Sequence, residues 1–340
     1  MESIAIIACD HGFGHVKRCY HYGLQLAISG YRVSLLARKD GLSRFSDLLG
    51  QHENLNLIPF HTNTAINKSK EELVQWLKRL PDLRHFDFIV SDNLPEILSL
   101  YPKAILSGSF LWHLDLPTID PAYSQFCEGL IVAHKPIHLA SEFFVSDQLK
   151  KHSNIIPIGL IGQSKDCDRL SPFSGALLIS GGKNEILNSA FREVISELIL
   201  HKERLPFTCV YVDSSLLPTS PPEWMLKATF DEEMYSRLST ALIRPGVGTV
   251  TDCLRHKVLI LAASENHNKE MQTNIDALEQ WNLGARIAIN TDWLSLIEEI
   301  KRLDAQYDEN VVNLQFYAEV QVVNYFDKLS KANSVFKERI

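Results

Sequence analysis

The sequence of 340 residues lacks several features that would each indicate a particular kind of protein. Its six cysteines form no C-x-x-C pair and no short Cys/His cluster, which argues against a disulfide framework and against a zinc site. No apolar run approaches the roughly 18 residues that a membrane span needs. The first residues lack the basic segment and the long apolar segment of a signal peptide. Together these absences predict a cytoplasmic protein with reduced thiols.

An excess of positive charge is also missing. Lys and Arg number 34 against 41 for Asp and Glu, which gives a net charge of −7. Because nucleic-acid binders draw much of their affinity from Lys and Arg at phosphates, we expect no nucleic-acid partner. The charge does not indicate membrane association either, although a local basic patch would permit it. Hydrophobic residues make up 45%, which is typical of a soluble globular protein, and the length corresponds to about two domains.

Short apolar runs alternate with longer amphipathic stretches along the chain. The first run, Ile4–Cys9, is continuously apolar, as expected for a parallel strand covered by helices on both faces. A helix is predicted over His15–Ser29, and repeats of strand and helix predict an α/β fold with a doubly wound sheet. Further strands are predicted at Arg32–Ala37, Leu55–Pro59, Phe86–Ser91, Ala104–Ser107 and Gly129–Ala133.

A second series of the same units begins near Gly175. Its predicted elements are strand Ala176–Ser180, helix Asn184–Leu200, strand Phe207–Val212, strand Ala241–Arg244, helix Thr249–His256 and strand Val258–Ala263. Between the two series, Asn154–Pro172 contains several prolines and glycines and is predicted as a linker. We therefore expect two Rossmann-like domains facing each other across a cleft, over residues 1–158 and 173–320. Residues 321–340 are predicted to form a helix that crosses back to the first domain.

The first candidate site is the glycine-containing loop between the first strand and the first helix. Gly12 and Gly14 allow backbone N–H groups to approach an anionic or sugar ligand at the positive end of the helix. A dinucleotide-binding fingerprint would need a third glycine where Lys17 stands, so the loop does not indicate NAD. His15 is predicted as a general base, with a helix-capping histidine as the alternative, and His11 is a weaker candidate for the base.

Two glycine turns and a polar segment in the second series could hold a phosphate-bearing or sugar ligand. Gly246 and Gly248 follow Arg244 at a strand end, and Thr249 is predicted to cap the next helix and bind a phosphate oxygen. A tight strand-to-helix turn without a ligand is the alternative. The remaining candidates are the Gly181-Gly182 turn, and Glu265, Asn266, Glu270, Gln272 and Asn274, whose polar groups suit ribose or sugar hydroxyls unless they form only a solvated loop and helix start.

Polar and aromatic residues also follow two strands of the first series. Asp92 or His113 could bind or deprotonate a hydroxyl group, Asn93 could bind one, and Trp112 offers a flat face to a sugar ring. A buried tryptophan and an aspartate that caps a strand end are the alternatives.

These motifs resemble those of the two-domain GT-B glycosyltransferases, the broad group that contains the peptidoglycan GlcNAc transferase and the UDP-glycosyltransferases. A closer similarity is to the glycosyltransferase-like domain of plant L-arabinokinase and to its bacterial relatives. The matching stretches occur in the same order over most of the chain and are Gly12–Arg18, Val90–Pro95, Ser109–Trp112, Gly246–Leu254 and Asn268–Asn274. Two departures are evident: Asp252 stands where the pattern has glutamate, and Gln272 is followed by Asn274 at a shorter spacing.

The resemblance implies a GT-B fold and transfer of a sugar from a nucleotide-activated donor, UDP by default, to a carbohydrate or small-molecule acceptor. It implies inversion at the anomeric carbon, no metal ion and no other cofactor. His15 is the implied base, and Asp92 is the second candidate catalytic residue. The implied acceptor contacts are Gly12, Asn93, Trp112 and His113. The implied donor contacts are Gly14, Arg18, Gly181, Gly182, Arg244, Gly246, Gly248, Thr249, Asp252, Glu265, Asn266, Glu270, Gln272 and Asn274.

Two alternatives remain open on the same fold. The Gly-x-Gly-His-x-x-Arg loop, matched by His15 and Arg18, also occurs in the nucleotide-sugar hydrolase of pseudaminic acid synthesis, which would use water as the acceptor. The altered spacing after Gln272 is compatible with a module that binds a nucleotide or sugar without catalysis. No kinase portion is present, so the resemblance does not imply arabinose phosphorylation.

Overall fold

The structure is a computed structural model of the chain. It describes residues 1–62, 68–115, 119–162, 165, 168–182, 184–201, 206–265, 268–289, 291–307 and 316–337, without the side chains of Trp112 and of residues 333–337. The chain forms two compact units. Unit 1 consists of Met1–Gly162 and Gln315–Ile340, and unit 2 of Gln163–Leu314.

Unit 1 contains a parallel sheet of seven described strands. They are β1 Ser3–Ile7, β2 Arg32–Ala37, β3 Leu55–Pro59, β4 Phe88–Asp92, β5 Ile105–Ser107, β6 Ile137–Ser141 and β7 Asn154–Ile158. The spatial order is β3-β2-β1-β4-β5-β6-β7, so the direction of strand addition reverses between β1 and β4. All five residues of β1 are buried, because helices cover both faces of the sheet. Open α/β sheets bind ligands beyond the carboxyl ends of the strands at such a reversal.

Unit 2 repeats this design with six described strands. They are β8 Ala176–Ser180, β9 Val210–Val212, β10 Met225–Lys227, β11 Leu238–Ile243, β12 Leu259–Ala262 and β13 Gly284–Arg286. Their spatial order is β10-β9-β8-β11-β12-β13, all parallel, and the order reverses between β8 and β11. The predicted α/β class with two Rossmann-like sheets is therefore confirmed.

The helices connect successive strands in both units. In unit 1 they are α1 Phe13–Ile28, α2 Lys39–Leu49, α3 Lys70–Val74, α4 Trp112–Asp115, α5 Pro121–His134 and α6 Asp147–His152. In unit 2 they are α7 Glu185–Leu200, α8 Glu232–Arg237, α9 Val247–Arg255, α10 Lys269–Gln280 and α11 Trp293–Gln306. The last helix, α12 Ala318–Lys337, belongs to unit 1. Short 3₁₀ turns occur at Gln75–Arg79 and Pro95–Ser99.

The last helix packs against α1 and completes the core of unit 1. The ring of Phe326 is fully buried, with its centroid 6.4 Å from that of Tyr31 and 5.3 Å from that of Phe88. The Tyr31 hydroxyl donates a hydrogen bond to Asp327 at 2.6 Å. The predicted return of the chain end to the first domain is therefore confirmed. The helix begins at Ala318, three residues before the predicted start, and residues 338–340 lie outside the described residues.

One predicted strand is wrong. Gly129–Ala133 lies inside helix α5, and the strand follows at Ile137–Ser141. The spacing of the buried residues Tyr123, Cys127 and Ile131 is helical, and the Asp120 side chain caps the helix by accepting from the Ala122 N–H at 2.9 Å. The apolar end of a half-buried helix was mistaken for a strand.

The predicted linker and several element boundaries, among them those of β9 and α9, also differ from the structure. The first five residues of the predicted linker, Asn154–Ile158, form the edge strand β7 and pair with Ile137–Ser141. Strand β9 is confined to Val210–Val212, and α9 begins at Val247 before the predicted Thr249. An edge strand pairs on one side only, so its apolar pattern is weaker and tolerates Pro157.

The described residues contain neither a membrane-spanning helix nor a metal-binding cluster. None of the described helices is both long and apolar enough to cross a membrane. In the same part of the chain, no three His, Cys, Asp or Glu residues are grouped so that they could hold a metal ion.

Candidate functional site

In unit 1 the loop from β1 to α1 lies at the reversal of the sheet. Gly12 adopts φ +90°, which glycine tolerates without strain, and its N–H donates to the Asp10 carbonyl at 2.8 Å. Helix α1 starts at Phe13, and no side chain among the described residues caps it. Gly14 is its second residue, where a Cβ would meet no atom within 4 Å. The first turn, which carries His15, therefore presents backbone N–H groups beyond the strand ends.

His15 contacts a buried carboxylate. Asp92 is the last residue of β4, the neighbour of β1, and none of its side chain is exposed, against 12% for His15. The Nδ1 atom of His15 lies 2.6 Å from Asp92 Oδ1. An ionised carboxylate only accepts hydrogen bonds, so Nδ1 donates to it, and in the neutral ring the lone pair is then on Nε2. Arg18 Nη2 also lies 3.2 Å from Nδ1.

Three further hydrogen bonds hold Asp92. Arg18, one turn after His15, donates from Nε to Oδ2 at 2.7 Å and from Nη2 to Oδ1 at 2.9 Å. Ser107, at the end of β5, donates to Oδ2 at 3.0 Å. Burial alone would raise the pKa of Asp92, but the positive charge of Arg18 and the contact with His15 hold it well below its usual value. Asp92 therefore remains an anion that orients His15.

The two residues predicted as catalytic, His15 and Asp92, are thus in contact, and Arg18 and Ser107 hold the same carboxylate. Arg18 was predicted as a donor contact, and the structure places its guanidinium against Asp92; the donor role stays a prediction. Ser107 was missed by the sequence analysis. Its signal is positional, because it ends the strand next to β4 and pairs in register with Asp92.

Asn93, a predicted acceptor contact, follows Asp92 in an unusual conformation. Its φ is +54°, and only 5% of the residue is exposed. A Cβ on Gly108 would lie 1.6 Å from Asn93 Oδ1, so the amide packs directly on that glycine. Neither amide atom has a hydrogen-bond partner among the described residues. Backbone strain beside a candidate catalytic pair is typical of binding sites.

The other two predicted acceptor contacts lie on α4. His113 is 3% exposed, and burial lowers its pKa to about 4, which keeps the ring neutral. The ring is enclosed in unit 1 and does not line an open edge, so its acceptor role stays a prediction. Trp112 belongs to the same helix, but its side chain lies outside the described residues.

In unit 2 the Gly181-Gly182 turn follows β8 at the reversal of the second sheet. Gly182 adopts φ +61°, and a Cβ on Gly181 would lie 2.3 Å from Asn188 Oδ1. Asn188, on the buried face of α7, also donates from Nδ2 to the Gly182 carbonyl at 3.3 Å. Asn188 was missed by the sequence analysis, although an asparagine among apolar positions of an amphipathic helix is a signal for such a role.

The turns after β8, β11 and β12 meet around Arg244. The Cδ atom of Arg244 lies 4.0 Å from the position of a Cβ on Gly182. Its Nη2 atom lies 3.5 Å from Glu265 Oε1, which also accepts from Asn268 Nδ2 at 3.1 Å. Arg244 Nε and Glu265 Oε2 are buried without a partner among the described residues. A guanidinium beside a glycine turn can bind a phosphate group.

Helix α9 begins at the second glycine turn. Gly246 is its N-terminal boundary residue, and no described side chain caps the helix. The prediction that Thr249 caps it is wrong, because α9 starts two residues earlier and Thr249 lies within the first turn, after Gly248. Asp252 lies further along α9, with Oδ1 3.8 Å from Arg255 Nη1. Because no described hydroxyl group caps α9, its first-turn N–H groups are available to an anionic ligand.

The polar segment after β12 supports the turns. Asn274 is 1% exposed and donates from Nδ2 to the Pro245 carbonyl at 2.8 Å, which holds the turn before α9. Gln272 donates to Ser264 Oγ at 2.7 Å and accepts from Arg286. Glu270 lies in the first turn of α10, and Asn266 lies outside the described residues. The predicted hydroxyl-binding roles of these residues stay predictions.

Comparison with protein families and with curated proteins finds no match. Solved structures do match along almost the whole chain. The glycotransferase of kitacinnamycin is 13% identical with a TM-score of 0.65, over 97% of this chain and 98% of that one. The chain has the GT-B fold.

Two other GT-B structures contain nucleotides. The spinosyn rhamnosyltransferase SpnG, complexed with thymidine diphosphate, is 12% identical with a TM-score of 0.63, over 97% of this chain and 100% of that one. UGT89C1 of Arabidopsis thaliana, complexed with UDP, is 13% identical with a TM-score of 0.58, over 96% of this chain and 94% of that one. At these identities the likeness is one of fold.

Proposed function

We propose that this protein is an inverting glycosyltransferase that moves a sugar from a nucleoside diphosphate to an acceptor hydroxyl group, with His15 as the base. The observation that carries the proposal is the hydrogen bond from His15 to the buried, ionised Asp92 at the reversal of the first sheet. The GT-B fold supports it, because the matching structures are named as glycosyltransferases.

In unit 1, the acceptor hydroxyl would approach Nε2 of His15. As its oxygen attacks the anomeric carbon, its proton moves to Nε2, and Asp92 stabilises the imidazolium that forms. The bond from the anomeric carbon to the donor phosphate breaks on the opposite face, which inverts the configuration. Arg18 and Ser107 position Asp92, and Asn93 and the Gly12 loop are the proposed acceptor contacts.

In unit 2, the departing diphosphate would lie on the two glycine turns. Arg244 and the first-turn N–H groups of α9 would stabilise its developing charge, so we propose that no metal ion is needed. The Gly181-Gly182 turn would contribute backbone N–H groups, and Glu265 would hold sugar or ribose hydroxyls.

We also propose that the chain is related to the glycosyltransferase-like domain of L-arabinokinase. This relation rests on the order of the matching stretches along the chain, two of which, Gly12–Arg18 and Val90–Pro95, are in contact through His15 and Asp92. UDP and thymidine diphosphate are the nucleotides to test first, because two GT-B structures are complexed with them. We place the reaction in the cytoplasm, in the synthesis of a glycosylated product.

The test is His15→Ala, with His134→Ala, at an exposed histidine of α5, as a control. We expect His15→Ala to lower kcat by about 100-fold or more, the usual contribution of a general base, while the Kd of the nucleotide is unchanged. His134→Ala should retain the turnover of the wild type. Turnover that survives His15→Ala would contradict the proposal.

Incubation without an acceptor distinguishes the alternatives. A transferase should release free sugar only slowly under these conditions. Release at the full catalytic rate would identify a hydrolase, and nucleotide binding without turnover of any donor would identify a binding module.

A further inference from the structure

A shallow cavity of about 430 Å³ lies in unit 1, beside the His15 loop. Arg38, Lys39, Asp40, Ser43 and His61 line it. Arg38 directly follows β2, and His61 follows β3. Lys39, Asp40 and Ser43 belong to the first turns of α2. The volume lies within the range of small-molecule pockets. We call these five residues the β2–β3 pocket.

The β2–β3 pocket is joined to the loop that leads to His15. Arg38 Nη1 lies 3.5 Å from the Asp10 carbonyl oxygen, and His61 Nδ1 lies 3.3 Å from Asp10 Oδ2. The Arg38 guanidinium also lies 4.8 Å from the ring centroid of Phe13, the first residue of α1. Because β1 and β2 are adjacent, parallel strands, the pocket and His15 lie at the same edge of one sheet.

The surroundings of the β2–β3 pocket are positively charged, although the whole chain is not. Two cations lie near the pocket in addition to Arg38 and Lys39. The Arg44 guanidinium lies 5.1 Å from the Phe13 ring centroid, and Arg79 donates to the His61 carbonyl at 3.1 Å. Within the described residues, Lys39, Arg44 and Arg79 pair with no carboxylate. Two described carboxylates, Asp10 and Asp40, contact residues of the pocket, against the four cations Arg38, Lys39, Arg44 and Arg79. The whole chain, by contrast, has a net charge of −7.

One exposed carboxylate already occupies the Arg38 guanidinium. Asp40 accepts from Arg38 Nε at 2.6 Å and from Nη2 at 2.5 Å, in the two-point geometry that arginine uses for carboxylates and phosphates. The Asp40 side chain is 53% exposed, and Arg38 lowers its pKa. An exposed pair of this kind has little net stability, so a ligand anion can compete for Arg38.

We propose that the β2–β3 pocket binds an anionic group, a carboxylate or a phosphate monoester, of a small hydroxylated molecule. Under the proposed function, on which this step rests, that molecule is the acceptor. Arg38 and Lys39 bind the anionic group, and a hydroxyl elsewhere on the same molecule reaches His15. The acceptor is therefore an anionic sugar or a similar acid.

Binding to the full-length protein tests the pocket directly. The probes are glucose, glucuronate and glucose 6-phosphate, which share a ring and differ in charge, followed by NMR titration of the labelled protein. We expect at least one anionic probe to bind about tenfold more tightly than glucose, the gain typical of a charge-assisted contact, and high salt to reduce the difference. The two anionic probes distinguish carboxylate from phosphate.

Two variants with opposite expected effects separate binding from folding. Lys39→Gln should reduce the preference for the anionic probe about threefold or more, whereas Asp40→Asn should raise it, because Arg38 loses its internal partner. Lys103→Gln, at an exposed lysine elsewhere in unit 1, is the matched control and should change nothing. Equal affinities for glucose and both anions, or a preference that neither variant changes, would overturn the proposal.

The outcome is separable from that of the proposed function. His15→Ala should keep the preference for the anion even where turnover is lost. A preference that depends on Lys39 and Asp40, together with no turnover of any donor, would support the pocket and contradict the transferase.

Discussion

At the scale of single residues, Glu96 is a carboxyl group buried in the core of unit 1. None of it is exposed, and it accepts hydrogen bonds from Trp76 Nε1 at 2.8 Å and from the Tyr123 hydroxyl at 2.7 Å. Burial raises its pKa to about 7, although the two hydrogen bonds act in the opposite direction. Within the described residues no cation pairs with it, so its proton is part of the folded structure near neutral pH.

This raised pKa predicts a pH dependence of stability. The folded protein holds the proton of Glu96 more tightly than the unfolded chain does, so the contribution is complete below about pH 4.5 and is lost as the pH rises to about 7. The loss should reach about 3 kcal/mol, at about 1.4 kcal/mol per pKa unit. Glu96→Gln should remove it, so the difference in free energy of unfolding between wild type and variant, measured with urea, should change across this pH range.

At low pH Glu96→Gln should change the free energy of unfolding by about 1 kcal/mol or less, because the amide, like the protonated carboxyl, can accept from Trp76 and donate to the Tyr123 hydroxyl. A constant difference between wild type and variant from pH 4.5 to 8 would show that Glu96 does not titrate there.

At the scale of elements, the two glycine turns of unit 2 need glycine for different reasons. At Gly181 a Cβ would clash with Asn188, so folding itself requires glycine. At Gly246 the φ of −66° is ordinary and a Cβ would meet no atom within 4 Å. Glycine at position 246 is therefore not needed for folding, but the missing side chain lets a ligand such as a diphosphate approach the backbone.

We therefore expect Gly246→Ala to fold as the wild type does and to bind UDP or thymidine diphosphate about tenfold more weakly, because the methyl group meets the diphosphate. Gly181→Ala should weaken binding and also lower the free energy of unfolding by about 1 to 3 kcal/mol. Calorimetric titration and thermal unfolding measure the two effects.

Gly129→Ala is the control for both variants, because Gly129 lies in α5 of unit 1 with no atom within 4 Å of its Cβ position. It should stabilise the helix by up to about 1 kcal/mol and leave the nucleotide affinity unchanged. Nucleotide affinity that survives Gly246→Ala would place the diphosphate elsewhere.

At the scale of the whole molecule, the chain leaves unit 1, forms unit 2 and returns to unit 1 with α12. The return is held by Phe326 and by polar contacts, among them Glu319 Oε1 at 3.0 Å from His21 Nδ1 of α1. The stability of unit 1 therefore depends on α12, which is separated in sequence from the rest of unit 1 by the whole of unit 2.

Phe326→Ala tests this dependence in the full chain. Loss of the fully buried ring should lower the free energy of unfolding of unit 1 by about 3 to 5 kcal/mol. Hydrogen exchange should show lost protection in β1, β2 and α1 and little change in β8 and β11. Phe191→Ala, which removes a buried ring of α7 in unit 2, should give the opposite pattern. Equal effects on both units from either variant would contradict the division.

Local patterns in the chain are enough to predict the α/β class, the two series of strand and helix, and His15 and Asp92 as candidates. Periodic apolar patterns and glycines at strand ends are local signals, because they depend only on residues that are close together in the sequence. Such local signals do not show that His15 contacts Asp92, or that Arg18 and Ser107 donate hydrogen bonds to the same carboxylate. These contacts join residues from three separate parts of the chain.

Which polar groups are buried depends on how the elements pack in three dimensions. This packing encloses His113, turns Asn274 and Asn188 towards the glycine turns, and brings Arg38 and His61 together at one cavity. It also makes Gly129–Ala133 a helix, where a short apolar run cannot be assigned from sequence. The physical reason is that strand order brings distant loops to one sheet edge, and burial then sets the charge of each side chain.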